Sequence, residues 1–205
     1  MPLFFSQQID EHTKLAVWQI TEQADFFMEK VPLSRSITNP HKRLQHLAGR
    51  YLLQWLFPDF PIHLIQIADT RKPFLANETH HFSITHSGNY AAAIVSTNRQ
   101  VGIDIELHTE RIHRVSHKFL NEYEEQIAPP KPSIYPTLIW SVKEAMYKWN
   151  SLGEIDFQEH LQITKTPESL NSSGMIDAYI SKPKPSHLTL EYKIWENLVM
   201  AWVCQ

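Results

Sequence analysis

A single cysteine, Cys204, stands in 205 residues. One thiol excludes an internal disulfide and fits a reducing compartment. No apolar run is long enough to span a bilayer. The opening Met1-Pro2-Leu3-Phe4-Phe5 lacks a basic start and soon turns polar, so no secretory signal is expected. A cytoplasmic location, with no membrane partner, is the resulting expectation. Charge of one sign is also scarce: the net charge is −3, which gives no global attraction to nucleic acid. Any anionic ligand therefore has to be held by local basic groups. There is no H-E-x-x-H, and Cys204 has no cysteine nearby to share a metal. Of the twelve histidines, His113 and His117 lie four apart in an expected helix and are the one zinc pair worth weighing; a basic surface helix is the plainer reading. Internal repeats and low-complexity segments are absent. What remains is an ordinary globular composition in a chain that holds one medium domain or two small lobes.

The hydrophobic pattern predicts a strand over 13–20, where Leu15 and Val17 alternate, and a short helix over 22–30. Asn39-Pro40 reads as an N-cap followed by proline at the first helical position. The helix it starts is expected to run to Phe57, with Leu44, Leu47, Ala48, Tyr51, Leu52 and Trp55 as its buried stripe. Arg43, His46 and Arg50 fall on its polar side, and Pro58-Asp59-Phe60-Pro61 ends it. Strands are expected near 62–68, 81–85, 90–96 and 100–106, helices at 110–127 and 136–150, and a loop at Pro129-Pro130-Lys131-Pro132. Further strands follow near 160–165, 175–180, 187–195 and 198–204. No strict βαβ rhythm is present, so an α+β fold with antiparallel sheets fits best. Ser96-Thr97-Asn98-Arg99-Gln100 is the expected joint between an N-terminal lobe, 1–98, and a C-terminal lobe, 99–205.

Two segments carry chemistry. In Val101-Gly102-Ile103-Asp104-Ile105-Glu106, strand alternation turns Val101, Ile103 and Ile105 into a core and Asp104 and Glu106 together to the other face. Two like charges so close repel, and a divalent cation would resolve the conflict; a solvated edge pair is the bland alternative. In the 136–150 helix, Leu138, Ile139, Val142, Ala145, Met146 and Trp149 share one stripe. Trp140, Lys143, Glu144, Tyr147 and Lys148 share the opposite side, which packing alone does not explain. Glu144 can complete a hard oxygen site with Asp104 and Glu106, of the kind that suits magnesium and substrate phosphates. Lys143 and Lys148 can then meet phosphate oxygens as point charges.

The motifs taken in order resemble the 4'-phosphopantetheinyl transferase superfamily, Sfp-type. They are Arg71-Lys72-Pro73, Phe82-Ser83-Ile84-Thr85-His86-Ser87-Gly88, Gly102-Ile103-Asp104-Ile105-Glu106, Phe119-Leu120-Asn121-Glu122-Tyr123-Glu124, and Trp140 to Lys148. The resemblance covers residues 40–155 well and the ends loosely. It implies two similar α+β lobes about a pseudo-twofold, usually working as a monomer. It also implies a holo-acyl-carrier-protein synthase activity. The 4'-phosphopantetheine arm of coenzyme A moves to a serine of an apo acyl or peptidyl carrier protein, and adenosine 3',5'-bisphosphate leaves. The implied metal ligands are Asp104, Glu106 and Glu144, for magnesium or manganese. Glu144, directly or through a water, is the implied base for the carrier serine. Lys148 is implied on the pyrophosphate, and Lys143 steadies phosphate or orients Glu144. Lys72, Thr85 and His86 match phosphate-contacting positions, and Arg43 and Arg50 are candidates for the 3'-phosphate. Trp140 either serves the site or packs its wall.

This chain departs from the family pattern twice. Arg71 replaces the glycine of G-K-P, and Trp149-Asn150-Ser151-Leu152-Gly153 keeps only the final glycine of x-x-G-K-G. Neither change touches a metal ligand. Carriers of this class are acidic, and Arg111-Ile112-His113-Arg114-Val115-Ser116-His117-Lys118 is the densest basic stretch, a candidate dock by charge complementarity. Two other functions use the same residues. One is a magnesium-dependent enzyme acting on a pyrophosphate bond, the other a non-catalytic binder of coenzyme A or carrier.

Overall fold

In the first part of the chain, apolar-rich segments form the strands of a sheet, and one long amphipathic helix packs on them. The computed structural model describes residues 2–32, 36–128, 133–150 and 154–205. It divides into two compact units, Met1–Val101 and Gly102–Gln205. The first unit opens with β1 (Leu3–Gln8), β2 (Thr13–Gln19) and the short helix α1 (Ala24–Met28). The helix α2 (Pro40–Leu56), a 3-10 turn at Ile62–Leu64, β3 (Ile65–Ile67) and β4 (Pro73–Leu75) follow, and β5 (His81–Ser87) and β6 (Tyr90–Ser96) close it. The main sheet has the order β1-β2-β6-β5, all antiparallel. Gly88, at φ 52°, makes the tight turn from β5 to β6, a left-handed conformation that costs a side-chain-free residue little. Helix α2 begins as expected: Asn39 accepts from the Lys42 N–H at 3.0 Å, and Pro40 takes the first turn. Its Leu47, Ala48, Leu52 and Leu53 are fully buried against Ala16, Ala91, Ala93 and Val95 of the sheet.

The second unit takes in β7 (Val101–Leu107) from Gly102 on, then α3 (Glu110–Val115), a 3-10 turn at Ser116–Lys118 and α4 (Glu122–Gln126). The long helix α5 (Tyr135–Asn150) precedes β8 (Leu161–Lys165), β9 (Ser173–Ile180), β10 (Ser186–Trp195) and β11 (Leu198–Cys204). The sheet order is β7-β11-β10-β9-β8, and the 8–9, 9–10 and 10–11 pairings are antiparallel. Leu138, Ile139, Val142, Ala145 and Met146 on the inner stripe of α5 are all at 0% exposure, packed with Ile163, Ile176, Leu190 and Val199. The architecture is mixed α+β with antiparallel sheets, as the sequence implied. No helix among the described residues is long and apolar enough to cross a membrane.

Three expectations need correction. The single helix over 110–127 is two short helices separated by a turn. Asn121 starts a new capping box with Glu124, and the carbonyls of Phe119 and Leu120 go to side chains instead of to a continuing helix. Residues 62–68 begin as a 3-10 turn and pair only over Ile65–Ile67. Trp55, placed in the buried stripe of α2, is 40% exposed at its open end. Strands β1 and β4 were not anticipated. The Pro129–Pro132 loop and Ser151–Gly153 lie outside the described residues.

Candidate active site

Strand β7 and helix α5 meet because Gly102 lets them. A Cβ at Gly102 would fall on the Ala145 carbonyl oxygen and stand 2.8 Å from the Trp149 nitrogen. Only hydrogen fits where the strand crosses the backbone of the last turns of α5. That crossing brings Asp104, one alternation on, against the same turns. Asp104 is 4% exposed, so it is not a solvated edge acid. Its Oδ1 accepts from Lys148 Nζ at 2.6 Å, and the same ammonium donates to the Ile103 carbonyl at 3.2 Å. Glu144 lies one turn before Lys148 on α5 and is partly buried. Burial raises its pKa; the Asp104 carboxylate raises it further, and Lys148 pulls the other way. Asp104, Glu144 and Lys148 are therefore electrostatic neighbours. Glu106, half-buried, shares the Asp104 side of β7 by alternation.

Among the described residues, no group of three His, Cys, Asp or Glu side chains is gathered closely enough to hold a metal ion. The donor chemistry on β7 and α5 nevertheless fits a hard divalent cation. It offers carboxylate oxygens only, and the Asp104 and Glu144 carboxyls feel each other's charge. In the structure the cation that Asp104 holds is the Lys148 ammonium.

Lys143 is placed differently from expectation. The helical wheel puts it on the polar face beside phosphate, yet it is 0% exposed. Its Nζ donates to the Phe119 carbonyl at 2.6 Å, the Glu124 Oε2 at 2.7 Å and the Phe157 carbonyl at 2.8 Å. An ammonium has three N–H bonds, and these acceptors use all of them. Burial lowers its pKa, and the paired Glu124 works against that shift. Glu124, also at 0% exposure, accepts from the Asn121 and Ile163 N–H groups at 3.0 and 2.9 Å. Glu124 enters the sequence only as the end of the Phe119 to Glu124 motif, with no role expected of it. The Asn121-x-x-Glu124 spacing signals its capping box, but its lysine partner lies nineteen residues away. Trp140 is partly buried and packs against the core: it stacks on Phe157 with ring centroids 5.5 Å apart and tilts against Phe119 at 5.1 Å.

The remaining candidates belong to the first unit. Arg43 is half-buried and donates from Nε to the Ile37 carbonyl at 3.0 Å, tying α2 to the segment before it. Arg50 Nη1 lies 3.1 Å from His46 Nδ1, one turn away. Lys72 follows the β3–β4 turn, and burial lowers its pKa to about 8. On β5, Thr85 is buried and His86 exposed, so the two project from opposite faces. Arg71, which replaces the family glycine, sits at φ 66°, and its N–H closes the turn onto the Ala68 carbonyl at 2.8 Å. The turn thus keeps a left-handed conformation without the residue that suits it. In the basic stretch, Arg111, Arg114, His117 and Lys118 are exposed. The zinc reading of His113 and His117 fails on the backbone: α3 ends at Val115, and the His113 ring packs against His108 at 5.3 Å.

Comparison with known families fits this geometry. The sequence profile of the 4'-phosphopantetheinyl transferase superfamily matches residues 100–203, from β7 through α5 to β11. That is half of the chain, and the protein belongs to this superfamily. It is a transferase of the phosphopantetheinyl class, a family that uses coenzyme A as its substrate. A comparison with curated proteins found no match.

Proposed function

We propose that the protein moves the 4'-phosphopantetheine arm of coenzyme A onto a serine hydroxyl of an apo acyl or peptidyl carrier protein. The observation that supports this most is the Asp104, Lys148 and Glu144 group where β7 crosses α5. A serine hydroxyl needs a base, and Glu144, partly buried one turn before Lys148 on α5, is the carboxyl placed to serve. Glu144 takes the hydroxyl proton, directly or through a water. The serine oxygen bonds to the phosphorus that carries the pantetheine arm. The bond from that phosphorus to the bridging pyrophosphate oxygen breaks, and adenosine 3',5'-bisphosphate leaves with the electron pair. Lys148 exchanges Asp104 for a pyrophosphate oxygen and offsets the charge that develops there. Asp104, Glu106 and Glu144 are the proposed ligands of magnesium, or of manganese in its place, which when bound neutralises the pyrophosphate.

In the first unit we assign Arg43, Arg50, Lys72, Thr85 and His86 to the coenzyme phosphates. Lys72 supports this: its burial disfavours the ammonium, and an anion beside it would restore the charge. The exposed Arg111 and Arg114 of α3 are the proposed dock for an acidic carrier. We further propose that the enzyme works as a cytoplasmic monomer.

The test is to incubate the protein with coenzyme A, magnesium and an apo carrier, and to weigh the carrier by intact-mass spectrometry. Gain of one phosphopantetheine arm per carrier is the expected result. Coenzyme A breakdown without carrier would move the assignment to a pyrophosphate hydrolase. Binding with no turnover would leave a non-catalytic coenzyme A or carrier binder.

A further inference from the structure

The mechanism uses Glu144 but not Lys143, the residue before it. Away from the apolar stripe, helix α5 buries a full ammonium at 0% exposure. The partners of that ammonium come from three separate segments: the turn after α3 through Phe119, α4 through Glu124, and the loop before β8 through Phe157. Glu124 is itself pinned by the N–H of Asn121 and by the N–H of Ile163 on β8. A buried ion pair is often replaceable by apolar side chains at no loss of stability, so stability alone leaves this pair unexplained. Orientation explains it. Consecutive helix residues are turned about 100° from each other. A side chain fixed at Nζ by three acceptors therefore sets where the next one points.

We propose that the Glu124–Lys143 pair is a positioning device for the base: it fixes the rotation of α5 so that the Glu144 carboxyl stands beside Asp104 and Lys148. Neither Glu124 nor Lys143 touches substrate in this assignment. It rests on the transferase reading of Glu144; it leaves Lys143 the orienting role and not the phosphate, and it adds Glu124, which does no chemistry.

The experiment compares Lys143→Met, Glu124→Gln and the double variant for kcat, for KM toward coenzyme A and carrier, and for thermal melting. Each single variant leaves one buried group unmatched, and both melting and kcat are expected to fall. The double variant leaves no lone charge, so melting recovers toward wild type. Its kcat stays about 10-fold or more below wild type with both KM values nearly unchanged, because the orientation is lost and binding is not. A merely structural pair predicts the opposite, that kcat recovers together with melting, and that result would overturn the proposal. If the double variant melts too low to assay, Lys143→Arg decides. It keeps the charge and changes the shape of the head group, so kcat falls at near-native melting if position matters. An unchanged kcat there overturns the proposal as well. Wild-type protein that transfers no arm at all sinks the transferase reading and this inference with it. Transfer that is present but indifferent to all these variants sinks the inference alone.

Discussion

At Glu144, what suits catalysis works against stability. Its carboxyl is held above the ordinary value of 4.5 by burial first, with Lys148 pulling it down and the Asp104 carboxylate pushing it up. A folded-state pKa raised above the unfolded one contributes stability that is fully present below pH 4.5 and is lost as pH rises through the folded value. At neutral pH Glu144 therefore costs stability. In metal-free protein, Glu144→Gln is expected to raise Tm at pH 7 by about 2–4 °C. The gain should vanish below the ordinary carboxyl range. Melting curves of both proteins across pH check this, and a Tm lowered at pH 7 would contradict it. The acids themselves were legible from the sequence, because strand alternation puts Asp104 and Glu106 on one side and helix spacing adds Glu144. Lys143 was not legible in the same way. A helical wheel classes any lysine as polar, and the groups that bury this one come from Phe119, Glu124 and Phe157, which no local pattern links to α5.

Among the elements, the crossing of β7 and α5 is the contact that matters most. Gly102→Ala places a methyl group against the helix backbone at Ala145 and Trp149, which cannot yield as a flexible side chain would. The strand must back away, and the substitution is expected to cost about 2 kcal/mol or more. It should also separate Asp104 from Lys148 and lower transfer. Denaturant melts and transfer rates check both, and unchanged values would mean that the crossing is looser than it stands. The β3–β4 turn makes the reverse case. Arg71 holds a left-handed conformation at φ 66°, where the family pattern has glycine. Arg71→Gly is expected to stabilise the protein by about 1 kcal/mol by relieving that strain, as urea midpoints would register. Element by element, helix α2 was readable from its Asn39-Pro40 start and β7 from its apolar alternation, while β6 reads as a continuous buried run, Ala91 to Val95. The break in the 110–127 region was not. It depends on carbonyls being claimed by the Lys143 and Gln158 side chains from elsewhere in the chain.

For the molecule as a whole, the net charge of −3 means that an acidic partner gains nothing from the average field. Docking has to rely on a local basic patch, and α3 offers one next to the strand that bears Asp104 and Glu106. Reversing Arg111 and Arg114 to Glu is expected to raise the carrier KM several-fold and to leave coenzyme A kinetics as they were. The defect should deepen at low ionic strength, where like charges repel further. Steady-state kinetics at two salt concentrations test it, and an unmoved carrier KM would free α3 of the role. The mixed α+β architecture was legible because its strands and helices lack a βαβ rhythm. The sheet order was not, since the placement of β7 beside β11 joins residues nearly a hundred positions apart. The most direct measurement of the account is the transfer rate of Glu144→Gln beside wild type, read as carrier mass against time. A loss of about 10²-fold or more, with melting at least as high as wild type, is the predicted result. Transfer at the wild-type rate would contradict the assignment of Glu144 and the site built around it.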